Sequence, residues 1–174
     1  NEDRIRGAIL LAAKEGEMVK DNRFMLESIL DLKDREINEV MIHRKDIFSV
    51  NINENKDFFS KLANETPYSR FPVCENNSEN IIGIIYVKDL LRSLLLKKFD
   101  IKKVLQEPWF VPETTSLLGQ LNEFREKQKQ MAFVVDEYGV LLGLVTLKDI
   151  LEEIVGQIED EHDYPSSNLL YDNN

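Results

Sequence analysis

Gly83 and Asp89 recur as Gly143 and Asp149, an offset of sixty residues, inside two segments of one pattern. The segments are Ile82-Gly83-Ile84-Ile85-Tyr86-Val87-Lys88-Asp89-Leu90-Leu91 and Leu142-Gly143-Leu144-Val145-Thr146-Leu147-Lys148-Asp149-Ile150-Leu151. In each, an apolar run suited to a buried strand passes directly into an amphipathic helix. The chain is therefore an internal duplication, and this restricts what it can fold into. One copy alone leaves a face of its small sheet uncovered, so two copies bury those faces against each other. The expectation is an α/β (α+β) fold of tandem repeats, each β-α-β-β-α, packed about a pseudo-twofold axis with a cleft between the halves.

Residues 1–35 read as leading helices. Ile5, Ala8, Ile9, Ala12 and Ala13 stand at helical spacing, Glu15-Gly16-Glu17 supplies a stop, and Phe24 to Leu32 forms a second helix. The first repeat spans 36–100. Ile47–Val50 reads as a strand, and Asn55 to Ala63 as a helix with Phe58, Phe59 and Leu62 on one face. Tyr68 to Cys74 follows as a strand whose Pro72 places it at an edge or at its start. A polar loop from Glu75 to Asn80 leads to a strand at Ile81–Ile85 and a helix from Val87 to Leu96. The second repeat, 101–158, opens with a link from Ile101 to Pro108 and a strand at Trp109–Val111. A helix from Ser116 to Gln128 comes next, with Leu117, Leu118, Leu121 and Phe124 inward. The strands Ala132–Val135 and Leu141–Val145, joined by a turn at Glu137-Tyr138-Gly139, precede a closing helix from Leu147 to Val155. Residues 159–174 are acidic and polar and read as a disordered tail.

A formal net charge of -10 argues against nucleic acid or an anionic membrane as the main partner, because both repel the average surface. The single cysteine, Cys74, excludes an intramolecular disulfide and fits a reducing, cytoplasmic setting. No apolar run approaches the roughly 20 residues of a membrane-spanning helix. The chain opens on Asn1 rather than Met, which reads as an excerpt from something longer. Two histidines and one cysteine, with no paired nucleophile and base, give no catalytic set.

Five groups of residues carry a resemblance. They are Ser69-Arg70-Phe71-Pro72-Val73; Ile82-Gly83-Ile84 with Val87-Lys88-Asp89; Phe110-Val111-Pro112-Glu113; Val134-Val135-Asp136-Glu137-Tyr138-Gly139; and Gly143 to Gly156 with Thr146 and Asp149. Together they resemble a cystathionine-β-synthase (CBS) domain pair, the Bateman module, and more narrowly that of the magnesium and cobalt efflux, or haemolysin C-like, family. The likeness spans residues 36 to 163. His43 departs from the family's usual proline, Val140 from a second glycine and Lys148 from an acid. None of these touches Thr146 or Asp149.

The resemblance implies a regulatory module that binds an adenine nucleotide, ATP or AMP, with Mg²⁺ on the phosphates. It also implies a homodimer and an attached or associated membrane transport domain. By the same resemblance Tyr68 lines the adenine pocket with Ile42 and Ser69 close by, Arg70 faces phosphate, and Thr146 with Asp149 holds the ribose. A carboxylate accepts both vicinal ribose hydroxyls, and a helix N-terminus favours phosphate. The residues alone fit a plainer reading as well, because Thr-x-x-Asp is nearly a capping box. The opposite cleft offers Tyr86 and Ala132 where the first offers Thr146 and Arg70, so one nucleotide per pair is expected. Arg70 reads equally as a surface arginine, His43 as a solvated loop residue and Tyr138 as a packing residue. The acids Glu152, Glu153, Glu159, Asp160 and Glu161 read as a solvated helix end rather than a metal site. Two rivals remain: a ligand-free dimerisation module, and a haemolysin-like membrane-damaging protein.

Overall fold

A computed structural model describes residues 2–14 and 20–156. The Glu15-Gly16-Glu17 stop and the acidic tail lie outside the described residues. Two leading helices, α1 (Glu2–Lys14) and α2 (Lys20–Asp31), precede the repeats. The first repeat holds β2 (Val50–Asn51), α3 (Lys56–Glu65), β3 (Arg70–Glu75), β4 (Asn77–Tyr86) and α4 (Val87–Leu94). The second holds β5 (Phe110–Pro112), α5 (Leu117–Lys127), β6 (Met131–Val135), β7 (Leu141–Thr146) and α6 (Leu147–Val155). The β-α-β-β-α order thus occurs twice, as the duplicated sequence requires. An additional short strand, β1 (Ile42–His43), precedes the first repeat's set.

The strands form sheets of order β2-β3-β4 and β1-β7-β6-β5. In both, the strand before the first repeat helix pairs in parallel with the strand after it, Val50 with Val73 and Val111 with Val134. Each sheet also receives a segment from the other repeat. β1 runs antiparallel to β7, with Ile42 opposite Leu144, and Gln106 exchanges two backbone hydrogen bonds of 2.9 Å with Ile84 of β4. The repeats therefore lend each other an edge. Gly83 makes the second exchange possible, because its missing side chain leaves room for Leu105 and the Gln106 carbonyl.

Two compact units result. Among the described residues, one gathers those of 2–41, Glu113–Met131 and 145–156; the other gathers Ile42–Pro112 and Ala132–Leu144. The described part of the first is helical. There α2 and α5 pack on neighbouring elements, and Leu117 and Leu118 donate backbone N–H groups to the carbonyls of Arg35 and Leu32. The second unit carries both sheets with α3 and α4. Its β2-β3-β4 core buries Phe59, Phe71, Ile85 and Leu90 completely, with Val50, Val73 and Ile101 around them. Each such side chain contributes roughly 1.5–3 kcal/mol by leaving water. Asn55 starts α3 by accepting the Phe58 N–H, and Ser116 starts α5 by accepting the Gly119 N–H.

Several expectations are corrected. Residues 47–49 join no strand ladder, although the Ile47 backbone is extended, and only Val50 and Asn51 pair with β3. Strand β3 is central in its sheet, not an edge; Pro72 is tolerated because β2 covers only Val73 and Cys74, leaving it outside the parallel ladder. The polar stretch from Glu75 to Asn80 is mostly strand, since Asn76 turns the chain tightly with φ of +64° and Glu75 pairs with Asn77. Tyr138 is 84 % exposed at the hairpin, not the packing residue that was expected.

Helix α5 holds the least expected inward residue. Its buried face is Leu117, Gln120 and Phe124, at i, i+3 and i+7, while Leu118 and Leu121 are only half-buried. Gln120 is fully buried, and neither its side-chain oxygen nor its nitrogen has a hydrogen-bond partner among the described residues. An unsatisfied buried amide costs about 1–3 kcal/mol, whereas an apolar group of the same shape costs nothing comparable. Gln120→Met is therefore expected to raise unfolding stability by about 1 kcal/mol. Urea denaturation measures this, and a loss of stability would show that the amide is satisfied in solution.

Candidate functional site

The duplicated junction reaches its fullest form where β7 enters α6. Thr146 keeps an extended backbone as N-cap, and its Oγ1 accepts the Asp149 N–H at 3.2 Å. Asp149 Oδ2 accepts the Thr146 N–H at 3.2 Å in return, completing a capping box. Both residues are buried, at 4 % and 7 % exposure. Burial pushes the Asp149 carboxyl up to about 6, against the pull of the Thr146 hydroxyl and N–H.

That shift sets a pH dependence. At pH below about 4, near the unfolded value, both states hold the proton and burial costs little. As pH rises through the interval to about 6, the unfolded chain releases its proton first, so folding stability falls, by up to roughly 3 kcal/mol. Asp149→Asn removes this titration while keeping an oxygen to accept the Thr146 N–H. Denaturation of the variant and parent from pH 4 to 7.5 is expected to show a flatter slope in the variant; equal slopes would contradict it.

The first copy of the junction lacks these features. Tyr86 is the N-cap of α4 and makes no side-chain cap bond. Asp89 stays partly exposed, its carboxylate 3.9 Å from Arg92. The ring of Tyr86 instead lies under Arg70, whose guanidinium carbon is 5.7 Å from the ring centroid, a cation–π distance. Arg70 and Tyr86 are register partners across β3 and β4. At 7 % exposure Arg70 is not the surface arginine that was one of its two readings.

Arg70 and the remaining predicted residues lie in the unit that carries Ile42–Pro112, whereas Thr146 and Asp149 belong to the other. Ser69 precedes β3 and accepts the Val87 N–H on its carbonyl at 2.9 Å, tying the strand to the start of α4. Tyr68 is half-buried, its ring centroid 6.2 Å from that of Phe48, and burial pushes its phenol up. Ile42, 2 % exposed, belongs to the other sheet through β1. The exposed His43 caps a short turn, its Nδ1 accepting the Lys45 N–H at 3.2 Å. The structure thus joins Thr146 to Asp149 directly, and Ser69 and Arg70 to the head of α4. Sequence reasoning missed the Arg70–Tyr86 stack, which an alternating-strand register would have exposed.

Among the described residues no group of three or more His, Cys, Asp or Glu could hold a metal ion. Glu153, one of the acids at the helix end, is paired with Arg35 at 2.9 Å. No helix of the described residues is long and apolar enough to cross a membrane.

Two strand-helix-strand-strand-helix repeats, each carrying an Asp at the same place in the first turn of its last helix, define the class: a tandem CBS pair. The CBS domain family matches residues 37–96 and 100–156. The chain belongs to this family, in the group that holds the magnesium and cobalt efflux and haemolysin C-like proteins. It is 38 % identical to Hemolysin C of Brachyspira hyodysenteriae, over 84 % of this chain and 54 % of that one. It is 37 % identical to the magnesium and cobalt efflux protein CorC of Escherichia coli K12, over 94 % of this chain and 56 % of that one. The chain thus spans about half the length of these relatives. The solved CBS domain of a bacterial CNNM/CorC family Mg²⁺ transporter, in complex with an inhibitor, superposes with a TM-score of 0.83 at 32 % identity, over 92 % of this chain and 100 % of that one. A CBS domain of the same transporter family in complex with ATP gives 0.70 at 36 % identity, over 77 % and 96 %. A CBS pair from Klebsiella pneumoniae with bound AMP gives 0.63 at 34 %, over 70 % and 99 %.

Proposed function

We propose that this CBS pair is a regulatory module that binds an adenine nucleotide, ATP or AMP, and that Thr146 and Asp149 hold the ribose. One observation carries the reading: Asp149 is buried to 7 % exposure although a capping carboxylate has no need of burial. The fold keeps a carboxylate in a place that pushes it up to about 6, and a ribose diol donating two hydrogen bonds would repay that cost. Solved relatives that hold ATP and AMP support the same ligand class. The roles of Tyr68, Ser69, Ile42 and Arg70, for base and phosphate, rest on the family resemblance and are tested one residue at a time. Mg²⁺ accompanies the phosphates in this reading, and a homodimer passes the nucleotide's effect to a membrane transport domain. A ligand achieves this only through unequal affinity for two dimer shapes.

The test is isothermal titration of the chain with ATP and AMP, each with and without Mg²⁺. Saturable binding near one nucleotide per chain is expected. The complete capping box favours a second reading, in which Thr146 and Asp149 only cap α6 and the pair is a ligand-free dimerisation module. No heat with any nucleotide, from a folded dimer, would establish that one.

A further inference from the structure

We propose that the groove between α4 and the segment Lys103–Gln106 binds a small organic anion with an apolar body, a ligand chemically unlike a nucleotide. All of its walls belong to the unit that carries the sheets. The groove is open to solvent and offers about 370 Å³, enough for one aromatic or short aliphatic carboxylate. Leu96, Val104 and Leu105 supply an apolar lining, and Leu96 is 59 % exposed. Arg92 and Lys103 line the groove together with the single carboxylate of Asp89, two positive charges to one negative. A local excess of one positive charge on a chain of net charge -10 marks the groove as a place where an anion is not repelled.

The Arg92–Asp89 pair is loose, at 3.9 Å with Arg92 77 % exposed, so the guanidinium turns to a ligand carboxylate at small cost. The opposite wall is fixed. Gln106 is held to Ile84 by two backbone bonds of 2.9 Å, and Leu105 packs directly over Gly83. The groove is therefore formed before a ligand arrives. Its far wall is the segment that leads into the second repeat, so an occupant would brace that segment against α4.

The experiment is a titration of the isotopically labelled chain with phenylacetate and with hexanoate, followed by amide NMR shifts. Saturable shifts confined to the amides of Ser93, Leu96, Val104 and Gln106 are expected. Phenylacetamide, the neutral isostere, is expected to bind about tenfold more weakly, the worth of one charge-assisted hydrogen bond. The exposed double substitution Arg92→Glu with Lys103→Glu is expected to remove binding and leave the spectrum elsewhere unchanged. Absence of saturable shifts with both acids, or equal binding of the acid and its amide, would overturn the proposal. Displacement of phenylacetate by ATP in equal stoichiometry would overturn it too, by showing a second nucleotide cleft around Asp89. Shifts that survive the double substitution would show an apolar surface without anion selectivity, and would also overturn it.

Discussion

Asp149→Ala is expected to weaken ATP binding by at least about a hundredfold while leaving the chain folded. Two hydrogen bonds from ribose hydroxyls to one carboxylate are charge-assisted, and losing both removes about 3 kcal/mol. The same substitution deletes half of the capping box at the head of α6, a loss of about 1 kcal/mol. Against this, the parent keeps a carboxylate whose burial pushes it up to about 6, and its removal relieves up to roughly 3 kcal/mol near neutral pH. The two effects oppose each other, so the variant is expected to stay folded at pH 7, and thermal melts separate lost affinity from lost stability. Paired calorimetry and thermal melts measure both quantities. Unchanged ATP affinity would reduce Asp149 to a helix cap, and a fall of several degrees in melting temperature would mean that the cap outweighs the burial.

Gly83→Ala is expected to cost about 2–4 kcal/mol, although it adds one methyl group. A Cβ at this position would stand 2.5 Å from Leu105 Cδ1 and closer still to the Gln106 carbonyl oxygen. The leucine tip can turn away, but the carbonyl cannot, because Ile84 and Gln106 hold each other by backbone bonds on both sides. Relief requires parting this bridge and lifting Val104 and Leu105 off the core around Phe59 and Ile85. Gly7→Ala is the control: nothing lies within 4 Å of its added Cβ, and alanine in a helix is favoured by about 1 kcal/mol. Urea midpoints of the two variants should move in opposite directions. A shift for Gly83→Ala as small as that of the control would show that the segment lifts freely.

The duplication was legible because strand and helix announce themselves by different periods, and Ile82 to Leu91 changes period at the same place as Leu142 to Leu151. The Thr146–Asp149 pair was legible for the same reason: three residues on one helical turn fix the geometry locally. Strand β1 was not, since two residues carry no period and Ile42 is strand only because Leu144, far along the chain, offers it an edge. Nor was the central place of β3, where Pro72 signalled an edge and the shortness of β2 overrode it. Gln120 defeats the pattern outright, because an amide on the buried face of α5 breaks the rule by which faces are assigned. The Arg70–Tyr86 stack was missed, although pairing the two consecutive strands in register sets Arg70 opposite Tyr86.

The exchange of edges has a consequence for how the chain is made. Ile42 cannot find its partner until Leu144 has left the ribosome, by which point nearly the whole of both repeats has been synthesised. The first repeat can form its own three strands early, but the sheet that receives Ile42 and His43 closes last. Until then the strand of Ile42 and His43 waits unpaired in the nascent chain, open to the matching strand of a neighbour on the same message.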